Sequence, residues 1–218
     1  MLYSSFRKKA ISGWLKKHQP TDFSSSLKLQ KFLFFYEVLS KIEKDESEFQ
    51  SLRGYKNGPV FSDVYGDYTY ENGEFLKGIE QAYAKKPDQV NEERAKLAGF
   101  LVSILNEVEL SNLTHKFNIW KAKENEIKRG IKNVPLHEED LSKEDEDLML
   151  SLRNTYPTDY IDSVKVIQIS GKSFVIHKED IPKLTDDTKS VFISLADEDD
   201  LQNPVYVSVA EDGVVLVD

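Results

Sequence analysis

Residues 24–44 read SSSLKLQKFLFFYEVLSKIEK, and the rest of the chain is organised around them. Leu27, Leu29, Phe32, Leu33, Phe34, Phe35, Tyr36, Val38, Leu39 and Ile42 leave little of a helix circumference polar. A helix apolar nearly all round is a buried helix. This one is too short, and too interrupted by Lys28, Gln30, Lys31 and Glu37, to span a bilayer. The serines ahead of it are a helix start signal. At about 100° per residue, Gln30, Glu37, Ser40, Lys41 and Lys44 form one polar stripe. Lys28 and Lys31 fall in the opposite, apolar sector with Phe32, Phe35, Leu39 and Ile42. Two readings of these lysines stand. Their stems snorkel at the rim of a core, or their ammonium groups meet a carboxylate or another anion beside the helix N-terminus.

Working outward, the chain of 218 residues has room for one large domain or a domain with a small appendage. It is 39% hydrophobic and 31% charged, enough for a true core under a well-solvated surface. It has no cysteine, which excludes disulfides, thiol chemistry and Cys-based zinc sites. The start, MLYSSFRKKA, lacks a long apolar segment followed by a small-residue cleavage site, so a cytoplasmic location is expected. Charge is uneven. Residues 137–218 carry 7 basic and 20 acidic side chains, a net −13, whereas 1–136 are at +4. The acidic back repels nucleic acid, and the front is only mildly basic.

Before the central stretch, Phe6–Lys17 has the spacing of a short helix, weakened by Gly13 and ended by Pro20. After it, Gly54, Asn57, Gly58 and Pro59 mark a turn-rich segment, with Pro59 suited to the first residue of a helical turn. Tyr65, Tyr68 and Tyr70 follow, rigid faces with polar tips that suit core edges and partner surfaces. Asn91–Val108 reads as a second core helix. A further helical pattern runs from Ser111 through Trp120 to Ile127 and closes at Gly130. Ser142 caps an acid-rich helix. From Thr155 the texture is short, β-branched and alternating: SVKVIQI, SFVIHKED, SVFISL, PVYVSV and VVLV. Ser170-Gly171 and Asp212-Gly213 are hairpin-type turns, and Asp197–Asp200 is a solvated loop. The expected fold is therefore α+β, with a mainly helical domain over residues 1–156 and a small antiparallel β subdomain over 157–218.

Three pieces in order carry a family resemblance. LKLQKFLFFYEVL resembles the "KLQKLLYY" helix of the SocA-like antitoxins, also called Panacea domains or phage-associated proteins. Gly54, Gly58-Pro59-Val60 and Val64-Tyr65 are similar to that family's "YGPV…VY" element, and Leu113-Thr114-His115 with Trp120 and Ala122 to its "LTH…PW..A" segment. Ile119 stands where the family has proline, and the sheet after Pro157 lies outside its core. The resemblance implies a bacterial or phage protein that neutralises a cognate toxin by direct contact or delivers it to a protease. A prophage protein that binds a host protein is the alternative. On this reading Lys28, Lys31, Tyr55, Pro59, Tyr65, His115 and Trp120 are the partner-binding residues, and no cofactor, metal or membrane is involved. The acidic back would steer a basic partner towards the chain.

The chemistry-bearing residues form no pattern from which an enzyme is expected. The four histidines His18, His115, His137 and His177 lack i,i+4 metal spacing with a second ligand. Neither a phosphate-binding glycine loop nor a nucleophile elbow is present. Paired carboxylates such as Glu138-Glu139 sit in loops and caps. A hydrolase or nucleotide-binding enzyme using Lys28, Lys31 and His115 remains as the competing class.

Overall fold

The computed structural model describes residues 1–198, 200–211 and 213–217. The chain divides into two compact units, one of Met1–Val102 with Glu107–Thr155, the other of Ser103–Asn106 with Tyr156–Asp218.

The first unit is helical and built round the LKLQKF stretch. After α1 (Phe6–His18) and α2 (Pro20–Phe23) comes α3 (Ser26–Ile42). Ser25 starts α3, its side chain accepting from the Lys28 N–H. Every residue from Lys28 to Ser40 is buried. The polar stripe therefore lies mostly inside. Gln30, Glu37 and Ser40 are each within 2% of full burial, and only Lys41 and Lys44 reach solvent. Burial of polar groups requires partners, and these are present. Gln30 Oε1 accepts from the Phe61 N–H at 2.7 Å. Arg7 donates twice to Glu37, and Ser40 Oγ donates to the Tyr36 carbonyl.

A hairpin follows. β1 (Leu52–Tyr55) pairs antiparallel with β2 (Gly58–Phe61), Tyr55 opposite Gly58 and Gly54 opposite Pro59. Pro59 thus sits in a strand, not at the head of a helical turn. Gly58, at φ +98°, reverses the chain straight back onto β1. β2 is an edge strand, where a missing N–H is tolerated.

Next are α4 (Ser62–Tyr70) and α5 (Asn72–Lys85). α1 packs on α5 through Gly13: a Cβ there would strike the Ile79 carbonyl and lie 2.7 Å from Tyr83 Cβ. The residue that weakens an isolated helix is the one that lets two backbones meet.

α6 (Glu92–Ile104) is shorter than the periodicity implies and stops before Asn106. The pattern expected as one helix over Ser111–Ile127 is three pieces: α7 (Glu107–Thr114), α8 (Asn118–Lys121) and α9 (Glu124–Lys128). Asp145 explains one break, since its buried carboxylate accepts from the N–H groups of Asn118 and Ile119 and so starts α8. Gly130, at φ +81°, follows α9 as a left-handed terminator. β3 (Val134–Pro135) adds a third strand beside β1, and α10 (Lys143–Thr155) ends the unit.

The second unit contains α11 (Thr158–Ser163), β4 (Val164–Ile169), β5 (Lys172–His177), α12 (Asp186–Ala196), β6 (Val205–Val209) and β7 (Val215–Val217). β4 and β5 form a hairpin closed by Ser170 and Gly171, both with positive φ. The sheet is mixed rather than antiparallel, because β5 and β6 pair parallel. A parallel pair needs a crossover, and α12 supplies it. Its residues 190–195, SVFISL, read as a strand by their branching, yet Thr185 and Thr188 form a capping box that starts a helix. Phe192 then stacks on Phe174 at 5.1 Å, at the centre of a core that also holds Ile176, Val205 and Val207. Asp212 of the expected Asp212-Gly213 turn, and Asp199 of the expected 197–200 loop, lie outside the described residues.

Among the described residues, no helix is long and apolar enough to cross a membrane.

Candidate functional site

The first turns of α3 form the floor of the site. A cavity of about 510 Å³ opens over Leu27, Gln30 and Lys31, with Ser25 and Ser26 at the helix start. The hairpin supplies one wall, with Tyr55, Val60 and the turn residues Lys56 and Asn57. Tyr65 on α4 and Glu107 on α7 complete it. The rings of Tyr55 and Tyr65 stand 6.4 Å apart, and Tyr65 is 38% exposed.

Lys31 is the unusual member. Its side chain is buried, with 1% exposure for the residue. Nζ donates to the Pro59 carbonyl at 3.2 Å and has no carboxylate partner among the described residues. Removal from water disfavours the ammonium form, and burial brings this amine down to about 7. Snorkelling is therefore not what Lys31 does. Lys28 behaves differently: its Nζ pairs with Asp22 Oδ1 at 2.7 Å, the carboxylate contact the sequence left open.

Gly58 is packed against the same ammonium. A Cβ on it would fall 2.5 Å from Lys31 Nζ and also collide with Thr114 Oγ1. Thr114 ends α7, and with its neighbour His115 it closes the back of the site. His115 lies on Trp120 and hydrogen-bonds the Lys56 backbone, while Nε2 is buried with no partner. Burial, with the Lys31 charge nearby, lowers its pKa and keeps the ring neutral at neutral pH. Trp120 is 3% exposed and donates from Nε1 to the Tyr55 carbonyl at 3.0 Å, so it props the hairpin from behind.

Of the seven residues singled out in the sequence, Lys31, Tyr55 and Tyr65 line the cavity. Pro59, His115 and Trp120 brace it, and Lys28 is committed to Asp22. Gln30 was missed. It reads as part of a polar stripe, but it faces this cavity with Nε2 buried and unpartnered. Its place directly before Lys31 was the available signal. No group of three or more histidine or acidic side chains among the described residues could hold a metal. Comparison with protein-family models, curated proteins and solved structures found no match.

Proposed function

We propose that the chain is a protein-binding module of the antitoxin kind, which captures a partner polypeptide in the cleft over the start of α3. One observation carries this reading. Three stretches far apart in sequence, LKLQKF, the hairpin GPV and LTH with Trp120, converge on one cleft through Gln30 to Phe61, Lys31 to Pro59 and Trp120 to Tyr55. Its rim offers rigid aromatic anchors, the side chains that dominate binding at protein interfaces. Neutralisation would follow from occlusion of the partner's active surface or from its delivery to a protease.

The test is co-expression with toxic products of adjacent genes. Rescue of growth by the wild-type chain, lost with Tyr65→Ala and Tyr55→Ala while both variants remain folded, supports the module. Rescue of no adjacent toxic product, or rescue that both variants retain in full, overturns it.

A second reading, an enzyme, draws on the Lys31 amine near neutrality, since a desolvated lysine is a usable base or nucleophile. Against it, no second titratable group on the cavity walls pairs with Lys31 among the described residues.

A further inference from the structure

The floor of the cleft holds two hydrogen-bond donors that the fold positions but does not satisfy. The first is Lys31 Nζ, which spends one donor on the Pro59 carbonyl and faces no carboxylate among the described residues. The second is Gln30 Nε2. The orientation of the Gln30 amide is settled by chemistry: the atom facing the Phe61 N–H at 2.7 Å has to be the acceptor oxygen. Nε2 is therefore the other terminus, buried and without a partner. Leaving such a donor dry is costly unless a ligand meets it. The two residues are neighbours on α3, both line the cavity, and both are 2% exposed or less.

We propose that this floor is a binding site for a single carboxylate group, one oxygen taken by Lys31 Nζ and the other by Gln30 Nε2. The match is in charge and in count. One buried cation balances one negative charge, and two donors suit two oxygens. The positive end of α3 lies on the same side and adds to the attraction. A phosphate dianion fits worse, because the Lys56 and Glu107 charges on the cavity wall offset each other and Lys31 is left one charge short of balancing it. Above the carboxylate, Leu27, Val60, Tyr55 and Tyr65 give an apolar collar for the carbon chain that carries it. The group is found on an aspartate or glutamate side chain of a polypeptide and on a free organic acid alike. This assignment does not depend on the protein-binding reading.

The test is titration of the purified chain with sodium acetate, sodium benzoate, N-acetyl-glutamate α-amide and inorganic phosphate, read by NMR of the lysine side-chain Cε–Hε signals. Wild type should show a saturable shift of the Lys31 signal with acetate. Binding, followed in the variants by the ring signals of Tyr55 and Tyr65 on the same cavity, should weaken at least tenfold, about 1.4 kcal/mol, in Lys31→Met and in Gln30→Glu. The second variant keeps an oxygen for the Phe61 N–H, so it should fold, and its new carboxylate occupies Lys31 internally. Tighter binding of the capped glutamate than of benzoate supports a polypeptide side chain as the natural source, and the reverse order supports a free acid. The proposal is overturned if no carboxylate moves the Lys31 signal, if phosphate binds as well as acetate, or if both folded variants bind as wild type does.

Discussion

The His115 imidazole lies flat on the Trp120 indole, with ring centroids 3.8 Å apart and planes 20° from parallel. The same indole donates to the Tyr55 carbonyl at the end of β1. A residue of α8 thereby fixes both the back of the cleft and one of its walls. Trp120→Phe should keep the ring contact and lose the donor, costing about 1–2 kcal/mol. Trp120→Ala should cost about 3–5 kcal/mol through the void it leaves. Urea unfolding would measure both. Equal, small losses would show that Trp120 is not the prop described above.

Lys31 should set the pH dependence of stability above neutrality. Its folded value of about 7 lies below the ordinary 10.5, so the chain gives up a proton on folding between those values. The penalty is fully present below about pH 7 and is relieved as pH rises towards 10.5, at about 1.4 kcal/mol per pH unit. Lys31→Met should be more stable than wild type at pH 7 and show a flatter profile from pH 7 to 10. Denaturation midpoints across that range decide it.

Gly58→Ala should destabilise by about 2–3 kcal/mol, from a positive φ that side chains resist and from collision with Lys31 and Thr114. Shortening the lysine removes one of those collisions. In a double-mutant cycle, Gly58→Ala with Lys31→Ala should therefore cost less than the sum of the single changes. Strict additivity would count against contact at this point.

Arg7 is the counter-charge of a carboxylate shut away from solvent. Glu37 is fully buried; burial raises its pKa, and Arg7 opposes the rise. Arg7→Met should cost about 3–5 kcal/mol at pH 7 by stranding that charge. With Arg7 gone the folded pKa of Glu37 climbs further. A carboxyl that is more basic folded than unfolded takes up a proton on folding. Its contribution is most favourable at low pH and declines as pH rises through the folded value. The variant's deficit should therefore shrink from pH 7 to pH 5, as thermal unfolding at the two values would show.

Sequence reading found the buried helix because a near-continuous ring of Leu, Phe and Val leaves a chain no other place to put it. It could not see that Gln30 and Glu37 go inside as well, since their partners, the Phe61 N–H and Arg7, are remote in the chain. SVFISL shows the limit of branching as a strand signal: the cap at Thr185 and a seat for Phe192 on Phe174 outweigh it. Lys31 was visible as an anomaly in an apolar sector. That its Nζ meets no carboxylate among the described residues depends on the hairpin folding over it, which no local pattern records.

The second unit borrows four residues from the middle of the chain. The Ser103 carbonyl accepts from Gln168 Nε2 and Ser173 Oγ, and the Ile104 carbonyl accepts from Asn203 Nδ2. Cutting the gene at codon 157 would therefore not release a self-sufficient fragment. The tail would be born missing two carbonyls that accept three hydrogen bonds, and on the ribosome the 103–106 segment must wait for a tail synthesised some fifty residues after it.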